Sequence, residues 1–164
     1  MVRRIDMQQP ALDGFSFAQE GAPCGRKLKQ QQGQRANMTG ARAEALIYCF
    51  FKETGHEVST QHPIGQAIHG GTIYVDFYIH QTGIYPEGLI IESKWQESAG
   101  SVDEKLVFLV ENIRSRYPCP TLIVYGGGGA RPGMIEWMKQ QVDGRRLIGV
   151  FTLEEFVVWA NRNL

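Results

Sequence analysis

Thr72-Ile-Tyr-Val-Asp76-Phe-Tyr-Ile-His80, a link through Gly83 and Pro86, then Gly88-Leu-Ile-Ile-Glu92-Ser-Lys94-Trp-Gln96: two runs rich in β-branched and aromatic residues flank a turn-forming segment. That is the pattern of a hairpin of two strands. Asp76 interrupts an otherwise apolar first run, and Glu92 and Lys94 follow three aliphatic residues in the second. The two-residue period of a strand puts Glu92, Lys94 and Gln96 on one face and Ile91, Ser93 and Trp95 on the other. Acid, cation and amide in a row are costly against an apolar core, because buried charge must be paired or ligated. If Asp76 lies opposite, two carboxylates meet a lysine and an amide on one sheet surface.

Such a surface suits a divalent cation and a phosphate. Mg²⁺ takes hard carboxylate oxygens and keeps waters for a phosphate substrate. A lysine beside it orients an attacking water and offsets developing charge. The plain alternative is a set of cross-strand ion pairs on a surface strand. Asp76, a short connection and then Glu92-Ser-Lys94 resemble the PD-(D/E)XK nuclease superfamily, although Val75 stands where the proline of the motif would be. The resemblance implies that Asp76 and Glu92 are metal-binding acids, with Mg²⁺ as cofactor and Mn²⁺ as substitute. It makes Lys94 the catalytic lysine and Gln96 the glutamine that some branches carry two residues later. Residues 92–105 and 117–133 further resemble a bacterial and phage branch of small members.

At 164 residues and 43% hydrophobic, the chain is of single-domain size. No apolar run approaches a membrane span and the start lacks a signal-peptide core, so no membrane partner is expected. Cys24, Cys49 and Cys119 form no CxxC pair, which fits reduced thiols and a cytoplasmic location. His56, His62, His69 and His80 are not at metal-ligand spacing, so a metal here is bound by carboxylates. Net charge is zero, but residues 1–42 hold seven basic side chains against three acids, leaving +4 there and −4 in the remainder.

Residues 1–38 read as a basic, Gln/Gly-rich arm and residues 39–164 as the nuclease-like domain. In the arm, Arg26, Lys27, Lys29 and Arg35 are candidate contacts to a nucleic-acid backbone, since clustered cations gain from counterion release. A charged solubility tail is the alternative. Thr39 is a candidate N-cap for a helix burying Ala43, Leu46, Ile47, Phe50 and Phe51 up to Gly55. The resemblance makes Glu44 on this helix a third catalytic and metal-site acid. Alternatively, Glu44 only complements the helix dipole.

Residues 57–64 read as a strand, and Gly65–Gly71 as a Gly-rich link. After a turn at 97–100, Ser101 and Glu104 form a capping box for a helix to about Arg116 that buries Leu106, Leu109, Val110 and Ile113. Lys105 on its first turn is a candidate phosphate contact. Residues 119–125 form a short buried strand, and Gly126–Gly129 lead to a helix over 134–142. This glycine run lacks the lysine of a phosphate loop, and Arg131 beside it is a candidate backbone contact. Leu147–Phe151 is a last strand, and Thr152 with Glu155 caps a last helix.

The order implies an α/β fold. Over residues 39–125 it resembles the superfamily's restriction-endonuclease-like αβββαβ core, which implies a mixed central sheet flanked by helices, here with a C-terminal helix-strand-helix extension. The expected activity is Mg²⁺-dependent hydrolysis of DNA phosphodiesters by an endonuclease of restriction or mobile-element type. The alternatives are a non-catalytic nucleic-acid-binding or interaction module on the same fold, and an unrelated nucleotide-binding domain using the glycine run. Double-strand cutting by one small site points to a homodimer or higher homo-oligomer as the common route.

Overall fold

The computed structural model describes residues 34–96 and 102–164, which fall within one compact unit, Gln31–Leu164. Its elements run α1 (Gln34–Glu53), β1 (Val58–Gln66), β2 (Thr72–Ile79), β3 (Leu89–Trp95), α2 (Val102–Arg116), β4 (Thr121–Gly126), α3 (Pro132–Gln140), β5 (Leu147–Phe151) and α4 (Leu153–Asn163). The five strands lie side by side in chain order. The pairs β1–β2 and β2–β3 are antiparallel, whereas β3–β4 and β4–β5 are parallel. The sheet is therefore mixed, and β3 is the strand at which its sense changes.

Parallel neighbours require crossovers, supplied here by α2 and α3. One apolar cluster joins Ile90 and Ile123 of the sheet to Leu106, Val110 and Ile113 of α2 and Met138 of α3. The other joins Leu89, Ile91, Leu122 and Val124 to Ile47 and Phe51 of α1 and Phe156 and Ala160 of α4. Alternate residues of β3 and β4 thus feed opposite layers, and a helix pair covers each face. Both central strands are buried over their apolar length, as expected for strands covered on two sides.

Several boundaries differ from the sequence expectation. Helix α1 begins at Gln34, so Thr39 lies inside it and is not an N-cap; the Gln-Arg-Ala segment before it favours helix, and no proline interrupts the run through Gly40. Ala43, Ile47 and Phe51 are buried, but Leu46 is 58% exposed, because the buried stripe follows a spacing of four and leaves position 46 on its flank. Strand β1 continues through Pro63 to Gln66, with a register shift between Pro63 and Gly65. It is an edge strand, where proline is tolerated. Helix α3 starts at Pro132 rather than Met134, with proline at the helical start, where its missing N–H costs nothing. The expected capping box at Ser101 lies outside the described residues, whereas the one joining Thr152 and Glu155 is formed in both directions.

The glycine run has a steric explanation. Gly126 O accepts from Gln96 N at 3.0 Å, and Gly129 N donates to Gln96 O at 2.6 Å. A Cβ at Gly126 would collide with the Trp95 ring, and one at Gly127, whose φ is +87°, with the Gln96 backbone. The glycines let β4 and its loop close on the end of β3. Gly126 and Gly127 are accounted for without a nucleotide.

Candidate active site

The ladder between β2 and β3 holds three pairs and stops at Phe77–Ile91. Asp76 and Glu92 come next, and there the strands part while β3 continues alongside β4 as far as Trp95–Gly126. The Ser93 N–H that loses its strand partner donates to Asp76 Oδ2 at 2.9 Å. A carboxylate thus takes over a backbone acceptor's place, fixing the Asp76 side chain in the notch between two strands.

Lys94 fills that notch. Its Nζ lies 2.7 Å from Asp76 Oδ2 and 2.6 Å from Glu92 Oε2. The Lys94 side chain is one-third exposed, while that of Glu92 is only 3% exposed, so the pair joins an enclosed acid to a lysine that reaches solvent. Burial alone would weaken the ammonium, but Glu92 and then Asp76 override it and hold the Lys94 pKa above its ordinary value. Burial pushes the Glu92 carboxyl up; Lys94 opposes this and Asp76 reinforces it, with the net direction upward. An ion pair this enclosed is weak evidence for stability, because desolvation consumes most of the Coulombic gain.

Two contacts carry no signal in the sequence pattern. Tyr117, buried at the end of α2, donates from its hydroxyl to Glu92 Oε1 at 2.6 Å. Its own carbonyl accepts from Arg146 at 2.7 Å. Gln61 is the described non-glycine residue with positive φ, +49°, a conformation that costs free energy and clusters at functional sites. Its side-chain amide donates to Asp76 Oδ1 at 3.2 Å. Every oxygen of the two carboxylates therefore has a donor. Tyr117 and the Ser93 amide are anchored by the fold, whereas Lys94 and Gln61 are on side chains that reach solvent.

Of the expected site residues, Asp76, Glu92 and Lys94 converge. Gln96 and Lys105 line one cavity with Lys94. Glu44 is exposed as a residue, yet its carboxyl is pushed up first by desolvation and then by Asp76, with Lys94 opposing; α1 thus brings it within the field of the pair. Among the described residues no group of three His, Cys, Asp or Glu side chains forms a ready-made metal cage. Arg131 is 77% exposed and pairs through Nε with Asp103 at 3.5 Å, a surface contact worth little energy. Arg26, Lys27 and Lys29 lie outside the described residues, and Arg35 falls within α1.

A model of the PD-(D/E)XK nuclease superfamily domain matches residues 35–164. The chain belongs to the PD-(D/E)XK nuclease superfamily. No curated protein and no solved structure matches it. Membership supports a nuclease-type function, and the five-stranded mixed sheet with its four helices is the expected architecture. Among the described residues no helix is long and apolar enough to cross a membrane.

Tyr117 gives this site a simple test of packing. Tyr117→Phe keeps the ring and strips Glu92 Oε1 of its buried donor. A lost hydrogen bond to a charged group costs about 1.5–3 kcal/mol, so the denaturant midpoint should fall accordingly. An unchanged midpoint would mean that Glu92 finds another donor.

Proposed function

We propose that the chain is a divalent-metal-dependent DNA endonuclease that hydrolyses phosphodiester bonds. The observation that carries this reading is Lys94 Nζ held at 2.7 and 2.6 Å between Asp76 and Glu92. A cation is already preferred at the point where the two acids face each other. The donor set fits a hard ion, since two carboxylate oxygens with room for water are what Mg²⁺ favours. Asp76 and Glu92 would hold it, with Glu44 assisting. When bound, the metal supplies Lewis acidity toward the phosphate and a more acidic water.

The remaining roles fall to the chain itself. Tyr117 and the Ser93 amide keep one oxygen of each acid directed inward. Lys94 would orient the attacking water and offset charge on the phosphate oxygens. Gln96 and Lys105, on the wall of the same cavity, would hydrogen-bond a phosphate. Arg131 and the basic residues Arg26, Lys27, Lys29 and Arg35 contribute backbone contacts, and a homodimer would supply the second cut in a duplex.

The test is a plasmid incubated with purified protein in Mg²⁺, Mn²⁺ or EDTA, beside Lys94→Ala. Nicking or linearisation in either metal, absent in EDTA and in the variant, is the expected result. Binding without cleavage in any metal would establish the non-catalytic module instead.

The basic segment has its own expected outcome. Neutralising Arg26, Lys27 and Lys29 together to glutamine should weaken DNA binding and reduce the salt slope of log K by up to about three, at nearly one per phosphate contact. Fluorescence anisotropy across a salt series measures this. An unchanged slope would leave the segment a solubility tail.

A further inference from the structure

The carboxyl ends of β3 and β4, which run parallel, open onto two cavities that meet along Trp95, Tyr125 and Ala130. The end of parallel strands is where open α/β sheets place their ligands. The first cavity, about 260 Å³, is lined by Lys94, Gln96 and Lys105 as well as the shared wall. The second, about 330 Å³, extends from that wall to Ile135 of α3 and to Thr152, Leu153 and Glu154 at the start of α4.

Their chemistry differs in a way that matches one kind of ligand. The first compartment has two lysines and an amide and adjoins the paired acids. Among the described residues the second has aromatic and aliphatic walls with Thr152, no cation, and a single carboxylate, Glu154. Phosphate is favoured in the first and repelled from the second, while a flat neutral ring suits the second. Glu154 adds an acceptor for an exocyclic amine of the kind that cytosine presents.

We propose that the second cavity receives one unstacked nucleobase of the strand whose phosphate lies at Lys94. The preferred substrate is then DNA with an unpaired nucleotide beside the cleaved bond, because a base already out of the stack enters without the cost of flipping. This rests on the nuclease reading of the site and names its substrate class.

Binding in EDTA tests it without any need for turnover. Fluorescein-labelled duplexes of one sequence would be compared by anisotropy: fully paired, with a single bulged cytidine, and with an abasic site in the bulge. The wild type should bind the bulged cytidine roughly 10-fold more tightly than the other two, in the range expected for one stacked base. Ile135→Trp or Leu153→Trp, each filling the cavity, should erase that preference. Equal binding of all three duplexes by the wild type would overturn the proposal, whether or not the variants fold. So would equal tightness for the abasic bulge, which shares the bend but has no base, or a preference that survives in a folded variant. Absence of metal-dependent plasmid cleavage would strike the nuclease reading alone, leaving the bulge preference to stand or fall by itself.

Discussion

Lys94→Ala should lower the cleavage rate at saturating Mg²⁺ by ~10²–10³, the usual loss when one electrostatic contact is removed from a preorganised site, while DNA binding persists. The structure sharpens the contrast with a mere charge balancer. Lys94 bridges Asp76 and Glu92, so a lysine that only neutralised them would be replaced by the metal at no cost in rate. Removing it would then leave the acids freer and raise their apparent affinity for the cation. Lys94→Arg separates the two roles further, because it keeps the charge but presents a larger planar fork that cannot donate from the same point. Single-turnover cleavage should remain low in the arginine variant while binding is normal. Wild-type cleavage by Lys94→Arg would end the case for a catalytic lysine.

Asp76→Asn and Glu92→Gln should each abolish Mn²⁺ binding in calorimetry at concentrations that saturate the wild type. Each change keeps shape and one acceptor oxygen while removing the charge that a hard cation requires. Binding unchanged in both variants would remove the metal from this notch.

The central strands, their polarity and the convergence of Asp76, Glu92 and Lys94 were legible because strand alternation is a rigid rule and charges stand out in apolar runs. Leu147–Phe151 and the Thr152–Glu155 cap were legible because the signals are local. Leu46 misled because a helical period does not say how wide the buried stripe will be. Tyr117 was not foreseeable: its contact with Glu92 spans 25 residues, and tyrosine at the end of an amphipathic helix ordinarily signals packing. Gln61 was hidden for a different reason. Its positive φ arises on an irregular edge strand, and glutamine carries no preference that announces such a turn. The glycine run was visible, but its purpose required knowing that Trp95 and Gln96 lie against it.

The acceptance of the Ser93 amide by Asp76 has a practical consequence for trapping a substrate complex. Alanine at position 76 would silence the site but also leave a strand rung without its acceptor, so an inert protein and a distorted one would look alike. Asparagine retains a carbonyl oxygen for that rung. Asp76→Asn is therefore the version to crystallise with uncut DNA, since it removes the negative charge and keeps an acceptor for the Ser93 amide.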